Sequence, residues 1–548
     1  MSAGISRRSF LSGSVGLGLA GAALPGVLSA CASGTVVPTS AGRATLPDYV
    51  AAKVPTPQEA GTAAGVRDGY WEYPGELVRS VHDAPGSGGT VTALLIAYVP
   101  PPTPLSGNQY WQAFNRNLGI NFQPSITAEG DYPTKLQTVM ANSDLPDFML
   151  LYPTNDTAHL IEFLEDKCED LTPYLAGSAV KAYPNLANLG NFSWQTATYG
   201  GRIYGLPQPR GVFGSNLFIL QNLADKAGIS QPRDVDDFER LMKELNQPKA
   251  GQWAMGAQTQ SNYNLAFFYQ LFGVPNTWSV DKNGKFTADL ETEAAREAIA
   301  YAHRLYQDGV YHPEANNMTT VQAKDAFYSG QIASYVDGFS AYPSTWQQVA
   351  LIKPDNKPRV MIPFGHSGGK GSYYLGSGSF GTTALKKAPK KRIEELLRVA
   401  NYLAAPFGTQ ENFFLTNGVE GVDFTRNSQG APIATTKGPT QNALSQGYIT
   451  SSPSVNVNTQ YPDFIKAIHQ QEQQLVPLGI PNPTIGLYSE TAEDRGSDLA
   501  TLVDDQLSSI IAGRAPISSL STLIQNWRSQ GGEQMRNEFQ KSYEANHK

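Results

Sequence analysis

Cysteine is almost absent from this chain. Its 548 residues include only Cys31 and Cys168, which excludes a disulfide framework and a cysteine zinc site. Cys168 reads as a lone buried thiol. The seven histidines are scattered singly, which argues against a histidine metal cluster. A surplus of one charge is missing too: the formal net charge is −7, with acids and bases mixed along the chain. No basic stripe offers itself to nucleic acid, so none is expected as a partner. The mild negative charge suits a neutral ligand better than a polyanion. G-x-S-x-G, H-E-x-x-H and Walker A patterns are all missing. Gly376–Gly381 fits G-x-G-x-x-G, but Thr382 and Thr383 continue it as a strand, where a dinucleotide site needs a helix. The same pattern at Gly16, Gly18 and Gly21 falls in an apolar leader. Asp281–Gly284 lacks the spaced carboxylates of a calcium loop. No cofactor, metal site or catalytic residue is therefore expected.

Apolar material is plentiful. Hydrophobic residues make up 41% of the chain and charged residues 16%, enough for a sizeable core in two lobes or more. At the front, Arg7 and Arg8 precede an apolar stretch from Val15 to Leu28. That stretch is too short and too rich in small residues to span comfortably, and it has the layout of a signal peptide. The arginine pair, with Phe10 two places on, resembles the twin-arginine export signal; the Sec route stays open. Leu28-Ser29-Ala30-Cys31 matches the lipobox of bacterial lipoproteins. The expectation is a leader over 1–31, with Cys31 lipidated and becoming the mature N-terminus. Two acyl chains hold a protein on a bilayer without spanning it, and no later segment is long and apolar enough to span. Residues 32–88, rich in Ala, Gly, Thr, Ser and Pro, read as a flexible tether. An island at Tyr70-Trp71-Glu72-Tyr73 is placed to dock on the body.

Beyond the tether, strand and helix patterns alternate. Thr90–Val99 reads as a buried strand, Gln109–Leu118 as a helix, and Asn121–Pro124 as a strand. Leu136, Val139 and Met140 share one face of a helix over Tyr132–Ala141, and Asp147–Tyr152 reads as another strand. The alternation implies mostly parallel sheets covered by helices, with ligands at the carboxyl ends of strands. The order of Asp144-Leu145-Pro146-Asp147, Asp170–Leu175, Gly200–Pro207, Phe272–Asn276, Tyr328–Gln331, Pro406–Thr409, Gly418–Asp423 and Gly513–Pro516 resembles the extracellular solute-binding proteins of ABC importers. The resemblance runs from about residue 90 to the end. It is nearest the large sugar-binding lipoprotein branch. It departs from that branch at Leu217–Leu223, where an Arg-Lys-Asp-Trp run is usual.

The resemblance implies an α/β, two-lobed periplasmic-binding-protein-like (type II) fold with an interlobe cleft and several hinge crossings. Residues 89–205 plus 363–415 would form one lobe and 206–362 plus 416–548 the other. It implies a monomeric substrate-binding subunit that closes by a hinge around a solute, most readily an oligosaccharide. That subunit would deliver the solute to the permease subunits of an ABC importer, from the outer face of the cell membrane.

A saccharide site needs aromatic platforms for C–H faces and polar groups for hydroxyls. Strand-end positions give the candidates Tyr152, Thr154 and Asn155. The first crossing gives Gln208 and Arg210, and the next strand end gives Gln260, Asn262 and Tyr263. Asp337, Phe339 and Tyr342 follow a later strand, with Trp346 one helical turn on and read as core. Tyr374 and Ser377 are placed on the opposite wall, and Tyr488 just before a long terminal helix. Two other readings stand beside this one: an exported glycosidase or lyase, which needs paired carboxylates, and a surface sensor on the same fold.

Overall fold

The run TVTALLIA folds as strand Thr90–Ala97. The computed structural model describes residues 44–62, 64–152, 160–259, 261–459 and 461–547. Side chains alternate across a strand. Val91, Ala93 and Leu95 therefore enter one apolar core and Leu94 and Ile96 another, on the opposite face of the same sheet. The following helix, Gln109–Leu118, starts where the Asn108 side chain accepts a bond from the Trp111 N–H. It stops at Gly119, whose φ of 64° is left-handed.

The first sheet has five strands in the order Asn121–Ala128, Thr90–Ala97, Phe148–Leu151, Ser379–Leu385, Gly205–Pro209. A second sheet has the order Pro358–Val360, Ser215–Leu220, Ile332–Gly338, Trp253–Met255. It too is buried on both faces: Leu217 and Ile219 point into one core, Phe218 and Leu220 into the other. Each sheet with its covering helices is a lobe. The expected strands and helices of the first lobe form within a few residues of their expected ends.

Three expectations need correction. Neither sheet is mostly parallel. Ser379–Leu385 runs antiparallel to both its neighbours, and Ser215–Leu220 is antiparallel to both of its own. The reason is connectivity: these strands enter from the other lobe and do not follow a helix of the same lobe, so the right-handed crossover that makes strands parallel does not apply.

The second concerns the tether. The described residues of 44–88 lie along the body as a strap, several of their backbone groups bonded to it. The Asp48 and Val50 N–H groups donate to the carbonyls of Gly177 and Ala187, and Val78 N–H donates to Gly408. The carboxylate of Glu411 accepts from Ser80 and Val81. Gly69–Tyr70 pairs with Asn456–Val457, and Tyr70 packs on Phe407 at 4.6 Å between ring centroids. The strap's main anchor is Arg67, whose Nε donates to Glu472 at 2.8 Å. The Glu472 side chain is fully buried. Residues 32–43 lie outside the described residues, as do Arg7, Arg8 and Cys31.

The third concerns the division of the chain. Leu444 and Ile449 belong to a core of the first lobe. Gln441 accepts bonds from Asn108 and Gln109 there, and the Thr450 hydroxyl donates to Pro207. Residues 416 to about 450, expected in the second lobe, therefore pack on the first.

Candidate functional site

The chain crosses between the sheets at residues 210–214 and again at 361–378. The two crossings are laced together: Arg210 N–H donates to Gly378, and Gly376 N–H donates to Val212. A Cβ on Gly214 would lie 2.5 Å from the Tyr374 carbonyl oxygen, so only glycine allows the crossings to pass this closely. Tyr373–Tyr374 also pairs with Gly479–Ile480, and the Asn276 amide donates to both Leu375 and Ile480. Five residues separate the end of strand Gly205–Pro209 from the start of strand Ser215–Leu220. At ~3.5 Å per residue the six steps from Pro209 to Ser215 hold the two strand ends within about 21 Å of each other. Each of these ends opens onto a cavity.

The first lobe's cavity has a volume of about 400 Å³. It is lined by Tyr98, Gln208, Arg210, Phe380, Gln446 and Tyr448 among others. Tyr98 follows the strand Thr90–Ala97 directly and is 49% exposed. Its ring meets Phe380 edge-on at 6.2 Å and lies 6.2 Å from Tyr448. Tyr152 stacks on Phe380 at 4.3 Å, and the Arg210 guanidinium sits 4.2 Å from the Phe380 centroid. Burial, with Tyr152 and Glu129 close by, pushes the Tyr98 hydroxyl well above its ordinary range, so it stays protonated and able to donate. Gln208 is buried, and its amide nitrogen donates to the Thr383 hydroxyl at 3.1 Å and to the Tyr448 carbonyl. Its amide oxygen and that of Gln446 have no hydrogen-bond partner within the protein.

The second lobe's cavity is larger, about 540 Å³. Its lining includes Gln258, Asn262, Tyr269, Asp289, Asp337, Tyr374 and Asp504. A strained turn builds it: Asn262, Tyr263 and Asn264 have φ of 47°, 56° and 66°. Left-handed backbone disfavours non-glycine residues, and three in succession persist only when the surroundings hold them. Asn264 is fully buried; its amide donates to Gly256 at 2.7 Å and accepts from Val336 N–H at 3.2 Å. The Tyr311 hydroxyl donates to the Tyr263 carbonyl at 2.7 Å. Asn262 donates to Asp504 at 2.7 Å and accepts from Ser508.

Carboxyl groups dominate the charge on this wall. Burial pushes Asp289 up to about 7, against a bond from the Leu290 N–H. Burial also raises Asp504, partly offset by the Asn262 amide. Asp337 is paired with Lys324 at 3.2 Å. The Tyr269 side chain is 7% exposed, and its hydroxyl has no partner within the protein. Burial, then the charges of Asp289 and Asp504, drive that hydroxyl far above its usual range. Among the described residues no group of three or more His, Cys, Asp or Glu is placed to hold a metal ion.

The structure brings together some of the residues expected from sequence and separates others. Gln208 and Arg210 line the first cavity, with Tyr152 supporting its Phe380. Asn262, Asp337 and Tyr374 line the second. Thr154, Asn155 and Gln260 lie outside the described residues. Tyr263 does not line the cavity: the left-handed turn sends its ring into the core between Tyr306 and Tyr311. Phe339 is buried against Phe213 at 4.6 Å, under the Arg67 guanidinium. Tyr342 is also core; its hydroxyl donates to Pro358. Ser377 turns back to donate to Ser379. The Tyr488 N–H donates to Ser542, away from both cavities. Tyr98, Phe380 and Tyr448 line the first cavity and Tyr269, Asp289 and Asp504 the second, without having been expected there. The strand expected over Thr90–Val99 runs through Tyr98; the structure ends it at Ala97, which leaves Tyr98 half-exposed at its end. Asp289 and Asp504 sit on elements whose facing direction no local pattern reports.

The bacterial extracellular solute-binding protein family matches residues 103–408, more than half of the chain. The chain is 20% identical over 487 residues to lipoprotein LipO of Bacillus subtilis (strain 168), covering 85% of this chain and 94% of that protein. It is 21% identical over 472 residues to the polygalacturonan/rhamnogalacturonan-binding protein YtcQ of the same organism, covering 81% and 89%. In fold it is similar to an HMO-binding, ABC-transporter-associated solute-binding protein from Bifidobacterium longum infantis. That superposition has a TM-score of 0.63 at 13% identity, over 84% of this chain and 99% of that one. A family match over most of the chain, on two sheets laced by a hinge with a cavity at each strand edge, shows that this protein belongs to the bacterial extracellular solute-binding proteins.

Proposed function

We propose that this chain is the substrate-binding subunit of an ABC import system, lipid-anchored through Cys31, that captures an oligosaccharide by hinge closure without chemical turnover. The carrying observation is the pairing of two unlike walls across one hinge. One presents the cluster Tyr98, Tyr152, Phe380 and Tyr448, with a half-exposed ring at its edge. The other presents carboxyl, amide and hydroxyl groups. Sugars have apolar C–H faces and polar rims, and these two surfaces match them. Closure would bring both walls onto one ligand, and only a ligand that favours the closed form shifts the hinge.

The names of YtcQ and of the Bifidobacterium protein, which bind glycans, support the ligand class. The LipO name supports the anchor, as do the Leu28–Cys31 pattern and the Arg7–Arg8 leader. The permease subunits of the importer are the proposed partners, and the subunit acts as a monomer on the outer face of the cell membrane.

The test is calorimetric titration of the protein with a panel of oligosaccharides, with chromatography of each sugar afterwards. Binding with the sugar recovered intact is the expected result. Cleavage of the sugar would replace this reading with that of a glycosidase or lyase. Tyr98→Ala is expected to weaken binding about tenfold, ~1.4 kcal/mol. Its melting temperature should change little, because a half-exposed ring contributes little to the core.

A further inference from the structure

The two cavities differ in size, and both present buried acceptors. In the first, the buried groups with no partner among the described residues are the amide oxygens of Gln208, Asn442 and Gln446, all acceptors. The orientation of Gln208 follows from its partner: only the NH2 end can donate to the Tyr448 carbonyl. In the second cavity Asp289 and Asp504 present carboxyl oxygens, with no cation among the lining residues described, and Asp337 is already matched by Lys324. The Tyr269 hydroxyl, more than nine-tenths buried between Asp289 and Asp504, has no partner within the protein. Among the described residues, Arg210 is the one cation lining either cavity, and Phe380 lies against it.

The buried acceptors of both walls call for a ligand that supplies hydrogen-bond donors, while the hydroxyls of Tyr98 and Tyr269 can donate in return. Ligand hydroxyl groups supply such donors; a carboxylate only accepts. A carboxylate would also be a like charge brought into a part-buried space beside Asp289 and Asp504, where screening is weak. From this geometry, and resting on the oligosaccharide reading above, we infer that the cleft takes uncharged, hydroxyl-rich saccharides and rejects those bearing carboxylates, such as polyuronates. In this the protein parts from YtcQ, whose name gives polygalacturonan and rhamnogalacturonan as its ligands. The carboxyl oxygens of Asp289 and Asp504 each accept from saccharide hydroxyls, and the Tyr269 hydroxyl completes the set.

Titration of the full chain with neutral gluco-, xylo- and manno-oligosaccharides, and with oligogalacturonate of matched length, tests this. The buffer holds EDTA at low ionic strength, on the alkaline side of neutral so that Asp289 is charged. The expected result is binding of at least one neutral series, with oligogalacturonate at least about tenfold weaker. Oligogalacturonate binding as tightly as the neutral sugars, or more tightly, overturns the inference and leaves the oligosaccharide reading standing. No binding by either class overturns that reading, and the inference with it. Two variants probe the cause. Asp289→Asn with Asp504→Asn keeps the shape and removes the charge, so it should raise oligogalacturonate affinity relative to the neutral series; an unchanged ratio overturns the charge argument. Tyr269→Phe deletes only a hydroxyl that has no partner in the free protein. It should keep the melting temperature and weaken neutral-sugar binding several-fold; unchanged affinity removes this wall from recognition.

Discussion

Asn264 shows how much of the second wall depends on single side chains. It adopts a left-handed backbone, is fully buried, and spends both ends of its amide on backbone groups, Gly256 just past one strand and Val336 within another. Asn264→Ala removes both bonds and puts a residue that disfavours this conformation in its place. It is expected to lower stability by about 2–4 kcal/mol in denaturant melts. Asn264→Gly, which relieves the backbone, should cost less than Asn264→Ala; an equal loss would mean that backbone conformation contributes nothing. The sequence names Asn262 and Tyr263 as neighbours on one turn. It cannot say that three left-handed residues in a row point one side chain at the cavity and the next into the core. Cys168 is the easier case: a lone thiol was expected to be buried and is fully buried, because nothing but burial was asked of it.

Elements were legible where periodicity and capping act locally. Thr90–Ala97, Gln109–Leu118 and Tyr132–Met140 all follow from spacing within about ten residues. The strap was not legible. Its composition is that of a linker, and what fixes it lies far along the chain: Arg67 reaches Glu472 across 405 residues. Ala, Gly and Pro tell how freely a segment bends, and they say nothing of a distant surface that will hold it. Arg67 also stands over the rings of Phe213, in the first crossing, and Phe339, at a strand end of the second lobe. The strap is thus fastened where the hinge begins. Arg67→Ala leaves the fully buried Glu472 carboxylate without its cation, and is expected to cost about 3–5 kcal/mol, measured by thermal or urea unfolding. Arg67→Ala combined with Glu472→Gln should recover part of that loss, since no charge is then stranded.

Across the whole molecule, the lobes also meet away from the hinge. Glu493, near the start of helix Glu490–Ile511, accepts the backbone N–H of Leu160 at the start of helix Leu160–Lys167. Burial, with Asp494, Glu490 and Glu162 around it, pushes the Glu493 carboxyl up to about 8. A raised carboxyl holds its proton in this arrangement at pH values where a solvated one has lost it. The contact is therefore favoured at low pH and lost as pH rises through about 8. Small-angle scattering of the unliganded protein should show the radius of gyration increasing from pH 6 to 9, and Glu493→Gln should flatten that change. Anchoring is tested at the same scale: Cys31→Ser should move the protein from the membrane to the soluble fraction on cell fractionation. The two-lobed plan could be read from the order of motifs, whereas the mixed direction of the strands could not, because it depends on which lobe each strand is entered from. The strap has one more consequence, which concerns time. Residues 67–70 are among the first of the body to leave the ribosome, yet their partners, residues 456–472, are among the last. Residues 67–70 therefore reach these partners only after about 390 further residues have been made, while the front of the strap, at Asp48 and Val50, finds its own at Gly177 and Ala187. The later contact closes the fold across nearly its whole length, and a chain truncated before residue 456 lacks both Asn456–Val457 and Glu472 as partners for residues 67–70.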